Sequence, residues 1–268
     1  METTGTRRTA LITGASSGFG AEFARLFAAD GFDLILVARG GEAMQEIART
    51  EEARHGVEVT VIPKDLSTPG AAHDLMGIVR DRSLQVDALV NNAGFSTYGP
   101  FVETDEATLD AMLLVNMVAL TELTRAVLPG MIERGWGRLL LLGSVGSFAP
   151  APMTAAYAAT KAYVLSLGLA LHEELKGTGV RITTLCPGPT QTGFQARAEM
   201  QDSSLVAGKL LPSAEKVANA GFAAMKRGRP YLVTGSESRL FAFGSRFLPR
   251  TLAASIAGRS QRPISDQK

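Results

Sequence analysis

The sequence predicts an α/β fold: a single domain built on one doubly wound parallel sheet of about seven strands with helices on both faces. Three observations carry this. Short apolar runs alternate with longer stretches of helical periodicity along most of the chain. The runs are apolar throughout rather than alternating, as strands buried on both faces require. A glycine-rich turn follows the first run, at the kind of junction where such a sheet opens toward a ligand. No linker, low-complexity tract or further repeat divides the 268 residues, so one domain is expected over 1–268, with its core over about 9–235 and a C-terminal extension over 236–268.

The first strand is Thr9-Ala10-Leu11-Ile12-Thr13, which runs into Gly14-Ala15-Ser16-Ser17-Gly18-Phe19-Gly20. A helix follows with Phe23, Leu26 and Phe27 on one face and ends near Gly31. Residues 33–38 form a second apolar strand, and a helix and a third strand over 57–62 repeat the alternation. Residues 68–82 read as helix, 86–91 as strand, 105–134 as a long helix, 138–142 as strand, 154–176 as helix and 180–186 as strand. Beyond Pro187 the pattern weakens, and 192–211 is expected to be irregular or short-helical. Ser213 suits the N-cap of a helix reaching residue 226, with Glu215 in its first turn, and 231–233 makes a last short strand.

Composition narrows the function. A hydrophobic fraction of 46% supports one buried core, and a net charge of +1 gives no global attraction for nucleic acid. A single cysteine, Cys186, rules out an internal disulfide and suits a reducing, cytoplasmic setting. No unbroken apolar run reaches the roughly 18 residues of a membrane span. Arg7 and Arg8 precede no signal-like apolar region. His55, His73 and His172 are scattered on helical patterns, so no metal site is expected and surface positions are. Trp136 is expected to pack at the end of the sheet away from the site.

The chemistry concentrates at three places. A strand, a glycine-rich turn and a helix in succession present backbone N–H groups to an anion such as a pyrophosphate. In Tyr157-Ala158-Ala159-Thr160-Lys161 the two ionisable residues share a helix face, so Lys161 is expected to lower the Tyr157 pKa from its usual value of about 10. Ser144 stands thirteen residues before Tyr157, just past a run of leucines. Arg39 ends the second strand, and no acid occupies positions 38–41. An arginine there favours a ribose 2′-phosphate, where an acid would favour a free hydroxyl. NADP(H) is therefore preferred, with NAD(H) as the alternative.

Together these motifs resemble the short-chain dehydrogenase/reductase family, in register over about residues 9–235. Residues 13–20 look like its cofactor turn, with Phe19 where an aliphatic residue is usual and Ser17 where many NADP-using members carry a base. Asp65-Leu66 follows the third strand, Asn91-Asn92-Ala93-Gly94 ends the fourth, and Pro187-Gly188 with Thr192 matches the nicotinamide segment. Asn116, Ser144, Tyr157 and Lys161 match the catalytic tetrad.

The resemblance implies a Rossmann-like fold and cofactor contacts from Gly14, Ser16, Ser17, Gly18, Phe19, Gly20, Arg39, Asp65, Leu66, Asn92, Ala93, Gly94, Tyr157, Lys161, Pro187, Gly188 and Thr192. It implies hydride transfer between nicotinamide and a carbonyl or alcohol, with Tyr157 as acid or base, Lys161 on the ribose, Ser144 on the substrate oxygen and Asn116 holding a relay water. It also implies a homo-tetramer or homo-dimer through the two long helices. Apolar residues after the strands, Phe95, Tyr98, Val145, Phe148, Met153, Phe194 and Met200, suggest a pocket for a small lipophilic carbonyl or alcohol. A lid is expected over 190–211. A 3-oxoacyl-thioester reductase and a non-catalytic NADP-binding sensor or scaffold are the alternatives. The extension mixes Phe, Leu and Arg, with Pro249 interrupting it. It is expected to pack at the pocket rim or a subunit contact, with peripheral membrane contact as the second possibility.

Overall fold

A computed structural model describes residues 7–194 and 210–261. Its seven-stranded parallel sheet has the order β3-β2-β1-β4-β5-β6-β7. The strands are β1 (Thr9–Thr13), β2 (Asp33–Ala38), β3 (Val59–Pro63), β4 (Ala88–Asn91), β5 (Gly137–Leu142), β6 (Val180–Cys186) and β7 (Tyr231–Val233). The helices between them are α1 (Gly18–Ala29), α2 (Gly41–His55), α3 (Ala71–Asp81), α4 (Glu106–Glu133), α5 (Ala155–Glu174) and α6 (Ala214–Lys226). The extension forms α7 (Ser236–Gly244) and α8 (Arg250–Gln261), broken near Pro249 as the absence of an amide hydrogen there demands.

Side chains alternate across the pleat, so each strand feeds two cores. Leu11, Ile35, Val37, Leu89, Leu139 and Leu141 join one with Leu75, Leu123 and Val164 from α3, α4 and α5. Ala10, Ile12, Leu34, Leu36, Val90 and Leu140 join the other with Phe23 and Phe27 of α1 and Phe222 of α6. This is why the strands read as unbroken apolar runs. Trp136 lies just before β5, at the end of the sheet opposite the strand carboxyl termini, with the Arg8 guanidinium 3.9 Å from its ring centre. Ser213 caps α6 by accepting from Lys216 N at 3.2 Å.

Two features depart from the sequence pattern. The long helix is not uniform: α4 passes through a π-helical turn, Leu114–Ala119, which adds a residue to the turn around Asn116. By length and composition α4 also suits a membrane span, although half of that stretch is buried inside the fold. His172 is half-buried instead of solvated, with Nδ1 3.1 Å from Ile182 O.

Reversal of strand order between β1 and β4 opens a crevice at their carboxyl ends. Gly20 lets α1 approach β1 there, since a Cβ on it would fall 2.1 Å from Gly14 O, a backbone atom that cannot swing away. Gly20→Ala is expected to destabilise the fold by about 1–3 kcal/mol, the scale of core overpacking. Urea unfolding checks this; an unchanged midpoint would contradict the packing argument.

Candidate active site

The crevice is laced shut at its base by one hydroxyl. Thr13 Oγ1 donates to Val90 O at 3.2 Å and accepts from Asn92 N and Ala93 N, both at 3.0 Å. Asn92 Nδ2 donates back to Thr13 O and Gly14 O at 2.9 and 3.2 Å. The ends of β1 and β4 are thereby held together. Gly14 and Gly18 adopt positive φ of 64° and 56°, and a Cβ on Gly14 would sit 2.7 Å from Asn92 Nδ2. No side chain caps α1 and no acid stands in its first turn, so its leading amides and dipole suit an anionic ligand.

A cavity of about 500 Å³ runs along these strand ends. Its wall includes Gly14, Ser16, Ser17, Gly18, Phe19, Arg39, Asp65, Leu66, Asn92, Ala93, Gly94, Phe95, Ser144, Val145, Tyr157, Lys161, Pro187, Gly188, Thr192 and Phe194, all singled out from the sequence. Lys64 also lines it: its backbone N donates to Ala38 O at 2.9 Å, and its Nζ donates to Asp74 Oδ2 at 2.8 Å. Burial opposes ionisation of Asp65, but hydrogen bonds from Ser67 and the charge of Arg39 outweigh it and hold the carboxyl below its usual range. Ala151, Thr154 and Gln261 are among further wall residues that the sequence reading missed. Gln261 Oε1 accepts from Thr154 Oγ1 at 2.8 Å across 107 positions, a pairing with no local signal.

Ser144 and the Tyr157–Lys161 turn meet through a short buried link. Ser144 N-caps the 3-10 turn Val145–Phe148, its Oγ accepting from Gly146 N at 3.1 Å. Ser147 Oγ accepts from Ser144 N at 3.2 Å and donates to Lys161 O at 2.7 Å, bolting that turn to α5. Lys161 is only 5% exposed and its Nζ donates to Leu142 O at 2.7 Å. Asn116 lies behind the wall: its Nδ2 donates to Phe95 O and Thr160 Oγ1 at 3.0 and 3.1 Å, and its Oδ1 accepts from Phe95 N at 3.2 Å. A Cβ on Gly94 would lie 2.7 Å from Asn116 Oδ1 and 3.6 Å from Lys161 Nζ, so glycine keeps the space between those groups open.

Several expectations are corrected. Burial pushes the Tyr157 phenol up to about 12, against a hydrogen bond from Ser144 that pulls it down, so its surroundings do not acidify the phenol. Gly20 serves helix packing and does not line the cavity. Phe148 turns into the small core around Leu165, Cys186 and Val233 and packs against Tyr231. The Tyr98 hydroxyl donates to Gln261 O and ties the loop to α8. Met153 sits in a turn at φ 68°, its carbonyl accepting from Gly99 N. Met200 and most of the expected lid, 195–209, lie outside the described residues.

Burial drives the Lys161 amine down to about 8 from 10.5. A depressed pKa means that the fold favours the neutral amine. The associated stability is full above 10.5 and is lost as pH falls through 8, so at pH 7 the charged amine costs roughly 2–4 kcal/mol. The Tm of Lys161→Met relative to the parent protein is therefore expected to be several degrees more favourable at pH 7 than at pH 10.5. A difference independent of pH, measured by calorimetry, would contradict a buried charged amine.

Comparison with known proteins agrees with this geometry. A family model for the short chain dehydrogenases matches residues 8–203. Ketoacyl reductase HetN of Nostoc sp. is 33% identical over 225 residues, 84% of this chain and 77% of that protein. A short-chain dehydrogenase from Sphingobium yanoikuyae solved with NADPH superposes with a TM-score of 0.78 at 32% identity, covering 90% of this chain and 93% of that one. The bulky-bulky ketone specific alcohol dehydrogenase of Comamonas testosteroni gives 0.76 at 28% identity, covering 91% and 93%. A doubly wound sheet, an uncapped glycine turn at its switch point and a matching family model over most of the chain lead to one conclusion: this chain belongs to the short-chain dehydrogenase/reductase family, oxidoreductases of the CH–OH/C=O type.

Proposed function

We propose that the chain is an NADP(H)-dependent oxidoreductase that interconverts a lipophilic carbonyl compound and its secondary alcohol, with Tyr157 as the general acid or base. The observation that carries the reading is the convergence of Ser144, Tyr157 and Lys161 on the cavity that also holds the glycine turn. The uncapped first turn of α1 and the small residues Gly14 and Gly18 fit a dinucleotide pyrophosphate. Arg39 would take the 2′-phosphate, and Lys161 the nicotinamide ribose. When bound, the cofactor supplies or accepts the hydride at nicotinamide C4.

The chain's own part is orientation and proton transfer. A phenol pushed up to about 12 is protonated at neutral pH, the form that gives a proton to a carbonyl oxygen during reduction. Ser144 donates to the same oxygen and stabilises the charge that develops there. Protonated Lys161 steadies the phenolate left behind, and Asn116, joined to Thr160 beneath it, fixes the floor on which a relay water would rest. Phe95, Val145, Ala151 and Phe194 offer apolar wall, which supports a lipophilic substrate. The ketoacyl reductase name of one relative favours a 3-oxoacyl thioester as the second reading. All four tetrad residue types are present, which weighs against a sensor that has lost catalysis. A homo-oligomer through α4 and α5 belongs to the same proposal.

Titration with NADPH and NADH by nicotinamide fluorescence, followed by turnover of bulky ketones, tests this. Tyr157→Phe is expected to lower kcat about 10²–10⁴-fold while leaving the NADPH Kd within about threefold. Turnover that survives the change would remove Tyr157 from the chemistry. Arg39→Asp is expected to reduce the NADPH-over-NADH preference at least about tenfold; an unaltered ratio would reject the 2′-phosphate assignment. Because reduction needs the phenol and oxidation the phenolate, oxidation should rise from pH 7 to 10 while reduction holds or falls. Parallel profiles would contradict an acid–base role.

A further inference from the structure

We propose that α7 and an arginine-lined cleft beside β7 form a docking surface for an anionic bilayer. Leu240 and Phe243 stand at i and i+3 on α7, Phe247 follows three residues beyond its end, and the three are 74%, 60% and 73% exposed. Phe243 and Phe247 stack edge to face with ring centres 5.2 Å apart, so the apolar surface is continuous. Ala242 on the same helix is buried against Leu165, Cys186 and Val233, which fixes the opposite face to the fold. The exposed stripe is therefore held outward by packing.

Charge lies beside it. Arg239 and Arg246, each one position before Leu240 and Phe247, line a cleft of about 370 Å³ with Arg229, Tyr231 and Phe243, and no acid contributes to its wall. Arg246 Nη2 donates to Tyr231 OH at 2.8 Å, and none of the three arginines forms an ion pair among the described residues. Residues 236–261 contain four arginines and one acid, Glu237, although the whole chain carries only +1. Aromatic and leucine side chains flanked by arginines are the composition that lies in a headgroup layer, the rings at the acyl boundary and the guanidiniums on phosphates. A second copy of the chain fits less well. A two-fold contact through this patch would set arginines against arginines, with one nearby glutamate on each side to relieve them.

The surface adjoins the active site, since a Cβ on Gly188 would fall 2.1 Å from Ser238 Oγ of α7. Membrane binding is nonetheless independent of whether the enzyme reading holds, and its test reads no turnover. The full chain is mixed with phosphatidylcholine vesicles, with or without 30% phosphatidylglycerol, at about 50 and 500 mM NaCl and floated. Expected is at least a fivefold excess on the anionic vesicles at low salt, most of it lost at high salt. Phe243→Ser with Phe247→Ser, and separately Arg239→Gln with Arg246→Gln, should each reduce flotation at least fivefold. Circular dichroism melting shows that both variants remain folded, and the arginine pair, being exposed, serves if the phenylalanine pair unfolds. No flotation of the parent protein, equal flotation on neutral vesicles, or arginine variants that float normally would overturn the proposal. So would a parent protein that fails to float and whose oligomeric mass falls in the variants, which would make the patch a contact between copies.

Discussion

Lys161 places an amine where water barely reaches, and much of the site follows from that placement. The amine is 5% exposed and held by Leu142 O at the end of β5. Burial pushes its pKa down to about 8, so a charged amine there is expected to cost the fold stability at neutral pH. Ser147 fastens the backbone of Lys161 to the Ser144 turn, and Gly94 forgoes a side chain so that Asn116 and Lys161 can face the same small space. Asn116 reaches that space from a π-helical turn, which redirects one residue of an otherwise regular helix. A site that costs stability while ordering four polar groups is the usual form of a preorganised catalytic centre.

Much of the fold was legible because its strands end on residues that force an end. The limits of β1, β2, β6 and β7 match the sequence reading, since Gly14, Arg39, Pro187 and Thr234-Gly235 punctuate apolar runs too short for helices. The third strand begins two residues later than its apolar pattern, at Val59, although Val57 is itself buried in the core. The π-helical turn was not legible: it changes backbone winding without changing residue periodicity enough to be seen.

The site divides along the same line. Glycine turn, Arg39, Ser144, Tyr157 and Lys161 announce themselves by spacing along the chain. The pocket wall does not, because an apolar residue in a loop faces either cavity or core and its neighbours do not say which. Phe95 and Phe194 face the cavity, while Phe148, equally apolar and in an equally suitable loop, packs on Tyr231. Gln261 reaches the wall only because α8 folds back over Thr154, a long-range packing event. The phenol illustrates a different limit. Sequence spacing put a lysine beside Tyr157, but burial, invisible in spacing, sets the direction of its pKa.

The central claim is that hydride and proton meet on one substrate at Tyr157. The most direct measurement is single-turnover reduction of a bulky ketone with NADPH carrying deuterium at both nicotinamide C4 positions, followed by analysis of the alcohol. The account predicts deuterium on the carbinol carbon of the product, one atom per cofactor oxidised, in the parent protein and its near absence in Tyr157→Phe. Tight NADPH binding with no deuterium transferred to any of a broad set of ketones and 3-oxoacyl thioesters would contradict it and leave a protein that binds the cofactor without using it.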